Sequence, residues 1–351
     1  MMNKIIQTDL ESIAKSNLPW DRFANKSVLI SGANGFLPAY MVETLLFLNS
    51  NAGLNIRVIG LVRNLDKANN RFSNYLNNKN LVLLQHDVCN ELHIDEPIDF
   101  IVHAASQASP QYYGVDPVGT LSANLLGTIN LLNVAREKNS ESFLYFSSGE
   151  VYGQVDDNNI PVKEDFYGYL DPMKVRSCYA ESKRMGENIC VSYFHQYIVS
   201  TKVVRPFHTY GPGMQLDDGR VYADFVSDVV SGKDIEMKSD GSARRCFCYL
   251  KDATVAFFTV LLNGKAGEAY NVGNPGQEYS VMELAETVVK LSSKPLNVIK
   301  LQVKQGNQYL KSSLLRSTPN IDKISSLGWT PETEISEGFK RTINSYMLIN
   351  E

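Results

Sequence analysis

The chain has 351 residues, of which 44% are hydrophobic and 21% charged, with a formal net charge of −4. That length suits one large α/β unit with an appended lobe, or two domains, and the apolar content can fill an ordinary core. The acidic balance argues against the broad positive surface needed for nucleic acid or an anionic membrane, and no run reaches the roughly 18–20 apolar residues of a bilayer span.

Residues 5–16 read as a short amphipathic helix ahead of the fold, in a segment without the basic start and apolar core of a signal peptide. Ser27-Val28-Leu29-Ile30-Ser31 is a buried strand by its short apolar run and the turn signal behind it. A helix covers 39–48, and further strands cover 56–62, 81–84 and 100–102. A long helix over 117–137 leads to a strand at 142–146, a second long helix at 179–196 and a strand at 201–205. Strand alternating with helix predicts a Rossmann-like, doubly wound parallel sheet. The expected organisation is an N-terminal extension over 1–26, a dinucleotide domain over 27–205 and a smaller C-terminal substrate-binding lobe over 206–351, with segments near 250–275 returning to the main domain. The five cysteines, Cys89, Cys178, Cys190, Cys246 and Cys248, form no CxxC pair, so a reduced, cytoplasmic protein with no metal site is expected.

Gly32-Ala33-Asn34-Gly35-Phe36-Leu37-Pro38 stands between a strand and a helix. Glycines there let backbone approach a pyrophosphate, and the helix N-terminus offers free N–H groups to the anion. Proline is tolerated in a first helical turn. The second strand ends at Arg63 rather than at the acid that usually holds a ribose 2′-hydroxyl, which leaves NADP open beside NAD. Asp87 and Val88, past the third strand, are placed to meet the adenine.

Tyr179-Ala180-Glu181-Ser182-Lys183 puts a phenol and an ammonium on one helix face. The ammonium, with a positive nicotinamide ring, favours phenolate, which can take a proton from a hydroxyl as hydride leaves the same carbon. Ser147-Ser148, at the end of the fifth strand, would place a hydroxyl beside the same oxygen.

The set Gly32/Gly35, Asp87-Val88, His103-Ala104-Ala105, Asn124 with Gly127-Thr128, Ser147-Ser148 and Tyr179/Lys183 resembles the extended short-chain dehydrogenase/reductases, over nearly the whole chain. The resemblance implies a bound nicotinamide dinucleotide, touched by Gly32, Asn34, Gly35, Phe36, Leu37, Arg63, Asp87, Val88, Ala104, Ala105 and Ser106 together with Tyr179 and Lys183. Asn124 enters the same set in a structural role, bracing the active-site strands. It implies catalysis by Ser148, Tyr179 and Lys183, and a homodimer built as a four-helix bundle from the two long helices.

The second half is most similar to the UDP-glucuronate decarboxylases. The matching segments are Val175-Arg176-Ser177-Cys178-Tyr179, Tyr210-Gly211-Pro212, Asp217-Asp218-Gly219-Arg220-Val221, Arg245-Cys246-Phe247-Cys248-Tyr249 and the late Arg316. By that resemblance Glu150 and Arg316 flank a sugar carboxylate, while Arg220 and Arg245 lie near the nucleotide, UDP in the expected substrate, or near its diphosphate. Ser109 and Tyr112, with Tyr113, sit in a loop able to close over the sugar, and Arg176 reads either as a diphosphate contact or as a solvated residue. His208 stands where an asparagine usually contacts substrate, Gly213 where an arginine stands, and Gly149 where a serine stands. Gly149 has no proton to give, which argues against 4,6-dehydration. Decarboxylation is the first expectation, and nucleotide-sugar epimerisation the alternative. A non-catalytic scaffold is expected to lose Tyr179 or Lys183, and both are present. The implied setting is polysaccharide biosynthesis.

Overall fold

A computed structural model of the chain describes residues 3–237, 239–300 and 316–347. The apolar runs of the first half become β1 (Ser27–Ser31), β2 (Arg57–Val62), β3 (Leu81–Gln85), β4 (Phe100–His103), β5 (Ser142–Phe146) and β6 (Thr201–Pro206). Between and before them lie α1 (Lys4–Ala14), α2 (Phe36–Ala52), α3 (Leu65–Arg71), α4 (Pro117–Lys138) and α5 (Cys178–Tyr197). Later elements are β7 (His208–Tyr210), α6 (Val221–Val230), β8 (Ile235–Met237), β9 (Arg244–Tyr249), α7 (Leu250–Asn263) and β10 (Glu268–Val272). They are followed by β11 (Glu278–Ser280), α8 (Val281–Val289), β12 (Val298–Lys300), β13 (Arg316–Ser317), α9 (Asp322–Ser325) and α10 (Ile335–Met347).

Seven strands form one sheet in the order β10-β6-β5-β4-β1-β2-β3, and every pairing in it is parallel. Helices cover both faces, which is why all five residues of β5 are buried. The strand order reverses between β1 and β4, and ligands bind at such a point, outside the carboxyl ends of the strands. Gly127 lets α4 close on the sheet, since a Cβ there would meet Val88 at 2.8 Å. Asp116 caps α4 through Gly119 N at 3.0 Å, with Pro117 opening the helix, and α4 ends at Asn139 in the left-handed region. By length and composition α4 could cross a bilayer, which reading apolar runs alone did not show. In the structure it packs along α5 and the sheet with Asn124 and Thr128 buried.

The lobe centres on β9, which pairs antiparallel with β11 and parallel with β7 and β13. Its own core gathers Tyr210, Phe225, Phe247, Leu284 and Phe339, with Tyr210 stacked on Phe339 at 4.0 Å. Helix α7 packs on β5 and β6, and β10 pairs with β6, so the chain leaves the main sheet and returns to it. The first 26 residues are also integral, because Leu10, Ile13, Trp20 and Phe23 lie in the main core.

One buried carboxylate ties these parts together. Asp9 on α1 is fully buried and accepts hydrogen bonds from Tyr40 of α2 (3.1 Å), Tyr249 of β9 (2.7 Å) and Arg341 of α10 (2.5 Å). Removing one partner of such a cluster strands the others without water. Asp9→Ala is expected to lower unfolding stability by about 3 kcal/mol; a urea midpoint equal to that of the unmodified chain would show that the clamp contributes nothing.

Candidate active site

β1 runs into Gly32, whose φ of +65° lies in the left-handed region. A Cβ at Gly32 would stand 2.8 Å from Ala105 Cα, so only glycine lets the turn approach the end of β4. Gly35 N donates to Gly32 O at 2.7 Å and closes the turn. No side chain caps α2 at Gly35, which leaves the first-turn amides of Phe36 and Leu37 for an anion, and Pro38 follows them within the same turn. Ser31 joins the two strand ends. Its Oγ accepts from Ala104 N (3.2 Å) and Ala105 N (3.1 Å) and lies 2.8 Å from His103 Nδ1. Burial, reinforced by Lys183, pushes His103 down to about 3, so the ring is neutral. Further along the edge, the Cys89 amide, 2.9 Å away, and Arg63 hold the exposed Asp87 carboxyl low.

A cleft of about 360 Å³ runs from Gly35–Pro38 to the N-terminal turn of α5. Tyr179 and Lys183 line it, one helical turn apart and both buried. Tyr179 stacks on Tyr113 at 5.0 Å. Burial and Glu150 raise its phenol to about 12, against the Ser148 hydroxyl and Arg220. Burial lowers Lys183 to about 7, with Glu187 opposing, and its Nζ donates to Phe146 O at 2.6 Å. The Lys183 Nζ lies 5.7 Å from the Tyr179 ring centre. Ser148 Oγ caps the turn over Gly149–Tyr152 through Glu150 N at 3.2 Å, and the Glu150 carboxylate pairs with Arg176 at 3.2 Å. On the lobe side stand His208, Arg220 and Arg245. Burial, with Arg245 and Arg220 nearby, pushes His208 to about 3 and keeps it neutral. The arrangement can move a proton at a substrate hydroxyl and bind an anion between the two halves.

The family model for the NAD dependent epimerase/dehydratase family matches residues 28–273. The chain belongs to the NAD-dependent epimerase/dehydratase family. UDP-glucuronic acid decarboxylase 5 of Arabidopsis thaliana is 32% identical over 90% of this chain and 87% of its own length. UDP-glucuronic acid decarboxylase 1 of Xenopus tropicalis is 32% identical over 92% of this chain and 72% of its own. Among solved structures, UDP-glucuronic acid 4-epimerase from Bacillus cereus, in complex with UDP-glucuronic acid and NAD, superposes with a TM-score of 0.78 at 20% identity, covering 92% of this chain and 99% of that one. The dTDP-glucose 4,6-dehydratase of Bacillus anthracis, in complex with NAD, gives 0.74 at 20% identity, over 92% and 97% of the two chains.

For this family member the residues fit a bound dinucleotide: the turn has room only for a glycine backbone, the α2 terminus is uncapped, and the Tyr/Lys pair stands at the far end of the same cleft. Of the expected cofactor residues, Gly35, Phe36, Leu37, Ala104 and Ser106 line that cleft. Gly32, Asn34 and Ala105 form the turn and strand end behind it, while Arg63 and Asp87 lie exposed beyond. Among the described residues, no cluster of three or more His, Cys, Asp or Glu is placed to hold a metal ion.

Five more expected residues also lie elsewhere than in the cleft. Val88 is buried against Gly127 of α4. Asn124 is fully buried and donates to Ser182 Oγ at 2.9 Å, bracing α4 against α5 rather than meeting a cofactor. Tyr112 is 41% exposed, while the loop turns Tyr113 inward. Ser109 Oγ donates to Asp218 O at 2.5 Å. Arg316 makes two bonds of 2.9 Å to Glu278. Burial pushes Glu278 up, but Arg316, Thr318 and Arg244 outweigh it and hold the carboxyl at about 2. Two residues that the sequence reading left out, Glu187 and Arg205, form an ion pair of 2.7 Å beneath the Tyr179/Lys183 end of the cleft. The signal available was an acid one helical turn past Lys183.

Gly32→Ala puts a Cβ against Ala105 in a strained backbone, so NADH affinity should fall about tenfold or more. Fluorescence titration measures it, and undiminished affinity would remove the cradle assignment.

Proposed function

We propose that this chain oxidises C4 of a UDP-linked sugar with Tyr179 as base, and that the sugar is glucuronate, which it decarboxylates. The observation that carries the reading is the Glu150–Arg176 pair, standing beside Ser148, Tyr179 and Lys183 in one cleft. The relatives at 32% identity bear the name of that reaction.

NAD, when bound, would accept the hydride from C4 and return it at the end, and its positive ring favours the Tyr179 phenolate. Tyr179 takes the proton of the C4 hydroxyl, with Ser148 as its neighbour at the same oxygen. A ketone at C4 makes the C6 carboxylate a β-keto acid. The C5–C6 bond then breaks, CO2 leaves, and the electron pair becomes an enolate on the C4 oxygen. A proton added to C5 gives the 4-ketopentose, and return of the hydride to C4 with the proton held on Tyr179 would restore the hydroxyl and complete the pentose. Arg176 and Glu150 orient the sugar carboxylate, and Arg220 and Arg245 hold the diphosphate by forked donation, with neutral His208 between them as an acceptor. Leu126 and Ile129 of α4 and Met185 and Val191 of α5 leave an exposed apolar face that suits a four-helix bundle with a second copy. The setting we infer is cytoplasmic polysaccharide synthesis.

A second reading is 4-epimerisation of the same acidic sugar. The pairing of Arg316 with Glu278 favours it, because the late arginine that the decarboxylase resemblance sets beside the sugar carboxylate is held elsewhere.

The purified protein with NAD and UDP-glucuronate should release CO2 and form a UDP-pentose, followed by carbonate trapping and chromatography. A UDP-hexuronate isomerised at C4 with all its carbon retained would decide for the epimerase. Tyr179→Phe should keep NADH binding yet lose about 10²–10⁴-fold in turnover; a variant that turns over normally would exclude the phenol as base.

A further inference from the structure

Beneath the cleft lies a buried polar network that meets the cleft lining at Ser147. Glu187 stands one helical turn beyond Lys183, on the same face of α5. Its carboxylate accepts from Ser147 Oγ at 2.5 Å, from Arg205 Nε at 2.9 Å and from Arg205 Nη2 at 2.7 Å. Both side chains of the ion pair are nearly closed to solvent, at 8% for Arg205 and 13% for Glu187. Arg205 continues to the Tyr152 hydroxyl (2.8 Å) and the Glu164 carbonyl (2.9 Å), and Tyr152 donates to Asn271 Oδ1 at 2.6 Å. The network thereby joins α5, the end of β5, β6, the turn after Ser148 and β10.

Its position bears on two groups of the site. Ser147 precedes Ser148 in the chain, so a hydrogen bond that anchors Ser147 to α5 fixes where the next hydroxyl stands. Lys183 is an ammonium in a nearly dry pocket. Its surroundings are Tyr179, Glu187 and Cys190 from its own helix, Tyr145 and the Phe146 carbonyl from β5, and His103 from β4. Glu150 and Arg220 act on the adjoining Tyr179. Of these, Tyr145 and Cys190 are held as neutral phenol and thiol by burial, and His103 is neutral. The anion that Lys183 feels is Glu187.

We propose that Glu187 is a positioning residue of the catalytic site, whose carboxylate, clamped by Arg205 and Ser147, keeps the Lys183 ammonium charged and sets the place of Ser148. The inference rests on Tyr179 and Lys183 being the working pair. It does not depend on which sugar is bound. Neutralising the carboxylate would also leave Arg205 as an unpaired buried cation, which works against a second cation nearby.

The test is the titration of Lys183 in the full chain, followed by NMR of carbon-labelled lysine side chains and assigned with Lys183→Arg. In Glu187→Gln the Lys183 midpoint should fall by about one pH unit or more, and the alkaline limb of kcat/KM should move down with it. Ser147→Ala keeps the charge, so it should leave that midpoint in place while lowering kcat. An unmoved Lys183 midpoint in folded Glu187→Gln overturns the proposal. Should that variant fail to fold, Glu187→Asp carries the test: drawing the carboxylate back by one methylene must lower the midpoint, and an unchanged value counts against us. The titration needs no sugar, so its outcome is separate from that of the decarboxylation assay.

Discussion

The catalytic end of the cleft is organised around an ammonium placed where water is scarce. Lys183 is 2% exposed, and its burial, partly offset by Glu187, brings it down to about 7. A cation in that position needs acceptors supplied by the protein. It has the Phe146 carbonyl at 2.6 Å, the face of Tyr145 at 5.0 Å and the Glu187 carboxylate one turn along its own helix. Two of these come from β5, so α5 must lie on β5 in a single phase. That phase turns Tyr179 into the cleft and Glu187 beneath it. The phenol is then positioned by the same packing that accommodates the lysine, and no loop has to place it.

The cofactor end obeys a constraint of the opposite kind, the need for backbone to come close. Gly32 can sit against Ala105 only because it lacks a Cβ, and Ser31 closes the gap with one oxygen serving two amides and an imidazole. The parallel register aligns Ser31 with His103, and His103 with Tyr145, so β1, β4 and β5 end on one level. The reversal of strand order at β1 and β4 opens the crevice at that level. Both ends of the cleft are therefore fixed by one sheet edge, and the lobe adds the arginines that face it.

Much of this was legible in the residues. Period, turn signals and helix lengths located β1 to β6 within a residue or so, and the spacing of Tyr179 and Lys183 carried the site, because helical phase is a local property. What escaped depends on partners distant in sequence. Arg316 is expected beside a sugar carboxylate until Glu278, from the strand on the far side of β9, takes its Nε and Nη2 donors. The adjacent pair Tyr112-Tyr113 gives no hint of which ring turns inward, since the short helical turn at Pro110–Tyr112 sets it. Asn124, expected to brace the active-site strands, instead ties α4 to α5 through Ser182. Asp9 sits in what reads as a leading segment, and only the fold brings Tyr40, Tyr249 and Arg341 around it.

The departures from the relatives' pattern acquire a physical reading in the same way. A Cβ at Gly149 would press on the Phe207 ring at 3.1 Å. Phe207 in turn packs with Val151, Tyr152, Val162 and Cys246, so the ring has little room to withdraw. The space in which a dehydratase would carry its proton donor is thus occupied by an aromatic ring. Glu150 is left as the acid among the described residues lining the cleft, and its partner Arg176 enters from the segment just before the catalytic helix. A carboxylate–guanidinium pair beside a phenol offers no proton suited to expelling a 6-hydroxyl. It does offer a forked cation to an anionic substituent at C5, and oxidation at C4 makes that substituent ready to leave.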